Sequence, residues 1–122
     1  MVIIFNKVLD ENKKVYMALR QIYGIGAVYS KNLCSRIGIS EFANIEELSA
    51  DCVKTIVKHI NAESVVEKEL QASIRRDIKR KIKLKTYQGR RHLQGLPVHG
   101  QNTKNNSKTA KKLLKQNANF YK

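Results

Sequence analysis

Residues 13–38 read KKVYMALRQIYGIGAVYSKNLCSRIG, and the two glycines in the middle of this stretch decide how it folds. Val15, Leu19 and Ile22 stand at i, i+4 and i+7, which puts them on one face of a helix over about residues 12–23. Gly24 follows where a left-handed C-cap residue belongs. Ile25 and Gly26 leave a very short link. A second helix is predicted over about residues 27–37, with Tyr29, Leu33 and Ile37 at a spacing of four, and Gly38 ends it in the same way.

The loop Ile22-Tyr23-Gly24-Ile25-Gly26 also carries a candidate binding function. Glycines let the backbone pass close to another surface. The amides after Gly24 point outward at the start of the next helix, where the helix dipole favours an anion. A nucleic-acid phosphate is the natural ligand, and Lys31, one turn further on, adds a cation. The competing reading is purely structural, a helix C-cap followed by a tight turn.

Outward from this hairpin, Val2-Ile3-Ile4-Phe5 reads as a short extended segment packing on the domain. Residues 39–48 are expected to be irregular, anchored by Ile39, Phe42, Ile45 and Leu48. Ser49 is a good N-cap for a third helix, with Leu48 and Val53 placed as a hydrophobic staple. Val53, Ile56, Val57 and Ile60 form the cleanest amphipathic stripe in the chain. A fourth helix is predicted over about residues 66–84. Leu70, Ile74, Ile78 and Ile82 form its apolar stripe, and Arg75, Arg76, Lys79, Arg80 and Lys83 cover much of the remainder. From Thr86 onward regularity fades, with Gly89, Gly95, Pro97 and Gly100 as breakers. Beyond Val98 few large apolar side chains occur, a composition for disorder in isolation and ordering on a charged partner. The expected organisation is a helical domain over residues 1–84 and a basic, mostly irregular tail over residues 85–122.

Charge divides the chain more sharply than hydropathy. Residues 1–70 hold 9 Lys and Arg against 9 Asp and Glu, whereas residues 71–122 hold 15 Lys and Arg against the single acid Asp77, a net +14. Self-repulsion opposes compaction of such a segment, and counterion release rewards its binding to phosphates. A core limited to the neutral part is small: a domain of roughly 60–70 residues buries only about 60% of its unfolded-chain surface. The fourth helix also fits a membrane-surface or calmodulin-like partner, but its aliphatic stripe is narrow and lacks Trp and Phe. A core-facing stripe with an RNA-facing basic side fits better. Tyr87 supplies a ring that either stacks on a base or covers the core. Arg90 and Arg91 offer guanidinium forks for phosphates. Lys104, Lys108, Lys111 and Lys112 are spaced along what reads as an extended thread.

Other chemistries find no support. Cys34 and Cys52 belong to no CxxC pattern and read as small buried thiols in a reducing compartment. His92 and His99 sit among cations, which disfavours protonation and metal binding. No nucleophile, P-loop or dinucleotide pattern occurs, so neither an enzyme nor a cofactor is expected. No run approaches the roughly 18 apolar residues of a membrane span.

IYGIG at 22–26, GRRH at 89–92 and GLPVHGQNTKNNSKT at 95–109 resemble the small-subunit ribosomal protein thirteen family. Its bacterial members typically read IYGVG, YRGLRH and GLPVRGQRTKTNARTRK over the same spacing. The similarity runs from about residue 13 to about residue 112, and the tail segment is its most specific part. The resemblance implies an all-α protein, a small helical domain with a helix–two-turn–helix core and a long basic C-terminal tail. It implies a place in the head of the small subunit on small-subunit rRNA, beside small-subunit protein nineteen. It further implies bridging to large-subunit protein five, with a tail that approaches P-site tRNA.

Carried onto this sequence, Gly24 and Gly26 would hold rRNA backbone, and Arg90, Arg91 and His92 would form the family's basic turn. Gly95, His99, Gln101, Lys104 and Lys108 would lie in the rRNA-embedded tail, with Lys111, Lys112 and Lys115 nearest the tRNA. Lys31, Tyr87 and the fourth helix's Arg75, Arg76, Lys79 and Arg80 complete the expected rRNA surface. His99, Asn102 and Ala110 stand where bacterial relatives usually carry Arg, and Thr86 stands at a usual Cys. The bias toward Lys, Asn and Ile suggests an AT-rich genome. That bias, the altered tail and the absent presequence point to an organelle-encoded mitochondrial member working in the matrix, the alternative being a bacterial cytoplasm. A DNA-binding helix–two-turn–helix module is the other functional class. DNA glycosylases of that kind need an N-terminal proline or a lysine nucleophile and usually a zinc finger, whereas position 2 here is Val.

Overall fold

Around the two glycines, the second helix matches its expected span and the first does not. The computed structural model describes residues 1–104 and 107–121, with the side chains of 118–120 left out; Asn105 and Asn106 of the quoted tail segment fall outside it. The chain forms two compact units, residues 1–70 and 71–122. The charge imbalance begins at the same point.

In the first unit, strands β1 (Val2–Ile4) and β2 (Lys7–Leu9) pair antiparallel in the register Val2–Leu9, Ile3–Val8 and Ile4–Lys7. Phe5 and Asn6 form the turn with φ of 51° and 63°, the left-handed pair of a type I′ hairpin. Ile4 and Leu9 point into the core, whereas Ile3 and Val8 stand on the outer face. The extended segment is thus half of a hairpin. Its turn lacks the Asn-Gly type of signal that makes such hairpins legible.

Helix α1 covers only Val15–Leu19. The backbone of residues 13–15 pairs instead with 43–45: Val15 N–H donates to Ala43 O at 3.1 Å, and Ile45 N–H donates to Lys13 O at 3.2 Å. Beyond Leu19 the chain tightens into i→i−3 turns, with Gln21 N–H on Ala18 O and Ile22 N–H on Leu19 O. Val15, Leu19 and Ile22 are still buried together, so the spacing identified the face although the helix is shorter. Helix α2 (Ala27–Ile37) ends at Gly38, whose φ of 81° lets its N–H reach Cys34 O and Ser35 O. Helix α3 (Ala50–Glu63) begins at Ser49, whose hydroxyl accepts the Cys52 N–H. Ile56 and Ile60 of its stripe are buried, and Val53, Val57 and Leu48 pack against the same core. Each fully buried Leu or Ile there contributes roughly 1.5–3 kcal/mol relative to exposure. Phe42, expected as an apolar anchor, is instead 76% exposed under the Lys14 ammonium, 4.9 Å from its ring centroid. Ile45, in a 3-10 turn over Ile45–Glu47, takes the core position in that segment. Cys34 is buried and Cys52 only half-buried, so the expectation of two buried thiols holds for Cys34 alone.

Helix α4 (Glu67–Lys83) begins in the first unit and continues into the second. Its expected stripe is only half-buried at Leu70, Ile78 and Ile82 and exposed at Ile74. The second unit then departs from the irregular tail expected. Tyr87–Gln94 form α5 and Lys108–Tyr121 form α6. Thr86 caps α5, its hydroxyl accepting the Gly89 N–H at 3.1 Å, and Gly95 closes it with φ of 68°. Gly89, expected as a helix breaker, is a buried helical residue. A Cβ there would lie 2.4 Å from the Lys81 carbonyl oxygen, so the glycine allows α5 to rest on the backbone of α4. The outcome for the fold is a mostly helical chain with one small hairpin.

Candidate nucleic-acid interface

The loop before α2 lies at Gly24 against Val65, Val66 and Leu70 of the first unit. Gly24 has φ of 104°, a conformation that side chains disfavour. A Cβ there would meet Leu70 Cδ2 at 2.8 Å and the Val65 carbonyl oxygen at 3.4 Å. Gly24 is therefore needed by the fold itself. Gly26 differs: its φ is −100°, and nothing lies within 4 Å of an added Cβ. Its small size leaves open space outside the loop. No side chain caps α2, and Ser30 N–H is the first to turn back, onto Gly26 O at 3.1 Å. The amides of the preceding first turn keep their donors outward, at the positive end of the helix dipole. Val28 (74% exposed) and Tyr23 flank this opening. Lys31 stands on the exposed surface of α2, with its ammonium 5.4 Å from the Tyr16 ring centroid.

The remaining candidate residues belong to the second unit. Ala72, Arg75, Arg76 and Lys79, at successive turns of α4, line an open hollow of about 220 Å³. Arg75 also donates from Nε to Asn117 Oδ1 of α6 at 3.3 Å. Arg80 and Arg90 are exposed. Tyr87 is 59% exposed, which removes the core-covering alternative, and the Arg91 guanidinium sits 5.7 Å from its ring centroid. Arg91 donates from Nε to Pro97 O at 3.0 Å, so it also folds the 95–98 turn back onto α5. His92 is half-buried, and burial followed by the Lys81 charge holds its imidazole below the ordinary range. His99, Gln101 and Lys104 are exposed, and Asn102 accepts the Lys104 N–H at 3.0 Å.

Of the lysines expected along an extended thread, Lys108, Lys111 and Lys112 lie instead on α6, whereas Lys104 stands in the exposed stretch before it. Lys108, Lys111, Lys112 and Lys115 recur at i, i+3, i+4 and i+7 and are all exposed, a cationic stripe on one face. Ala110, Leu114, Asn117 and Tyr121 form the opposite, covered face, and Leu114 lies 3.0 Å from where a Gly95 Cβ would be. Sequence reading missed this helix because, among the described residues, its covered face has only two large apolar positions, Leu114 and Tyr121. The spacing of the lysines themselves was the available signal. Gly89 and Glu67 were also missed. The first looks like a breaker, and the second works through the backbone of a residue 44 positions away.

Among the described residues no group of His, Cys, Asp and Glu gathers as a metal site, and no helix is long and apolar enough to cross a membrane. What the two surfaces offer chemically is N–H donors, guanidinium and ammonium groups and one open ring, a donor set for phosphates and bases.

Residues 3–109 match the Ribosomal protein S13/S18 family. Over 103 residues the chain is 43% identical to the small ribosomal subunit protein uS13 of Corynebacterium kroppenstedtii, covering 84% of each chain. The protein of the same name from Cutibacterium acnes is 42% identical over the same length and the same shares. With the glycine loop and the basic turn both inside the matched span, the chain belongs to the S13/S18 family of ribosomal proteins.

Proposed function

We propose that this chain is a non-enzymatic structural component of the small ribosomal subunit that binds rRNA through its phosphate backbone. The observation that carries this reading is the charge division. A neutral unit is joined to one with a net +14 and a single acid, in a chain of this family. In the first unit, Gly24, Gly26 and Lys31 present the α2 amides and a cation to one strand of phosphates. In the second, Arg75, Arg76, Lys79 and Arg80 on α4, and Arg90, Arg91 and His92 on α5, give a dense cationic surface. Tyr87 stacks on a base, and Gly95, His99, Gln101, Lys104 and Lys108 follow the RNA further. Backbone contacts of this kind place a protein without reading sequence.

In the assembled particle we place the chain in the subunit head beside small-subunit protein nineteen, with large-subunit protein five across the bridge. Lys111, Lys112 and Lys115 on the outer face of α6 support an approach to P-site tRNA. The Lys, Asn and Ile bias favours a mitochondrial ribosome in the matrix, whereas the two bacterial relatives favour a bacterial cytoplasm. Comparing purified mitochondrial and cytoplasmic ribosomes for this chain separates the two. The central reading is tested by co-sedimentation with small subunits at low and high salt. Retention on the subunit at moderate salt is expected. Equal or stronger binding to duplex DNA or to anionic liposomes would count against it.

A further inference from the structure

The backbone just before Gly24 is gripped by groups distant in sequence. Glu67, the first residue of α4, accepts the Tyr23 N–H on Oε1 at 2.8 Å, and its own N–H donates to Tyr23 O at 2.9 Å. The same Oε1 pairs with Lys7 Nζ of β2 at 3.1 Å, and that ammonium donates to Gln21 O at 2.7 Å. Three backbone groups of residues 21–23 are thus fixed by two side chains and one amide. Glu67 itself adopts φ of 52°, a left-handed conformation rare for a residue with a side chain. Such a conformation costs free energy and persists where surrounding contacts impose it, commonly at functional sites. Loss of the grip would free the peptide that sets the direction of Gly24 and, through it, the start of α2.

We infer that Glu67 is the positioning residue of the Gly24–Gly26 loop, holding its amides in the orientation that receives an RNA phosphate. Lys7 sets the carboxylate, the carboxylate and amide of Glu67 clamp both sides of the Tyr23 residue, and the loop leaves that clamp already shaped. Glu67 touches no RNA, and its charge alone would repel phosphate. Its effect on binding is therefore indirect and favourable. The inference rests on the rRNA-binding reading above.

The test uses the full chain, a small-subunit rRNA transcript and two variants. Glu67→Ala should weaken binding about tenfold, the scale of one lost hydrogen bond to a charged group. The slope of affinity against salt should stay the same, because no phosphate contact is removed. The Tyr23 amide should exchange with solvent faster. Glu67→Gln keeps the acceptor oxygen, so it should hold affinity within about twofold and keep Tyr23 protected. Wild-type affinity in Glu67→Ala, or an equal loss in both variants, overturns the inference. If Glu67→Ala does not fold, Glu67→Gln decides alone: retained affinity and Tyr23 protection support the role, and loss of either sinks it. The Tyr23 amide is read without RNA, so it tests the clamp even if wild-type protein fails to bind the transcript, which would sink the functional reading instead.

Discussion

Gly89→Ala adds a single methyl group where α5 rests on the backbone of α4. That Cβ would lie 2.4 Å from the Lys81 carbonyl oxygen, 2.6 Å from its carbonyl carbon and 2.7 Å from the Ile82 nitrogen. All three atoms are α4 backbone, so no rotamer change relieves the overlap. Restoring an ordinary contact moves α5 away from α4 by about 1 Å. The move stretches the bonds that Thr86 N–H (3.2 Å) and the Thr86 hydroxyl (3.1 Å) make to Lys81 O. Overpacking costs roughly 1–3 kcal/mol, and each lost bond about 1 kcal/mol. Alanine regains about 1 kcal/mol of helix propensity over glycine. The expected net loss is about 2–4 kcal/mol, a fall in melting temperature of roughly 10 °C or more for a unit of this size. A circular-dichroism melt of the RNA-free chain measures it, with amide exchange at residue 89 reporting the α5 cap locally. A melt within about 2 °C of wild type, with unchanged exchange at residue 89, would falsify the packing argument.

Gly26→Ala is the matching control, because open space surrounds its Cβ: the melt should not fall, while affinity for small-subunit rRNA drops, and unchanged affinity would remove Gly26 from the interface. If roughly 8–10 of the 15 Lys and Arg beyond residue 70 meet phosphates, log affinity should fall with log salt at a slope of about −6 to −7. Changing Lys108, Lys111, Lys112 and Lys115 together to Gln should reduce the magnitude of that slope by about 3; an unchanged slope would show that the α6 face meets no RNA. The Tyr23 amide, then Lys7, hold the Glu67 carboxyl below its ordinary range. Its contribution to stability is therefore complete above the ordinary Glu pKa of about 4.3 and disappears as pH falls through the lower folded value. Denaturant melts of wild type and Glu67→Gln should converge in acid, and a constant gap between about pH 6 and about pH 2 would contradict the assignment.

Local chemistry made α2 and α3 legible. Gly38 supplies the left-handed residue that ends one, and the Ser49 hydroxyl starts the other. Both signals act within a few residues of the helix they bound, so they survive whatever the rest of the chain does. The apolar spacing of Val15, Leu19 and Ile22 identified a buried face for the same reason. It misjudged the length of α1 because the backbone of 13–15 hydrogen-bonds to 43–45, a competition that no window along the sequence contains. Likewise, Gly24 and Gly26 look alike in the sequence, and only the packing of Val65, Val66 and Leu70 separates a glycine the fold needs from one it does not.

Composition by itself determined that residues 71–122 carry a net +14, a charge that favours an anionic partner, because net charge is a sum over residues and does not depend on their arrangement. The arrangement was left to tertiary structure. Whether Gly89 breaks a helix or lets two helices touch depends on what lies above it, and here that is the backbone at Lys81. Whether Lys108, Lys111 and Lys112 string out along a thread or gather on one helix face depends on whether Leu114 and Tyr121 find a surface to cover, and the second unit provides one.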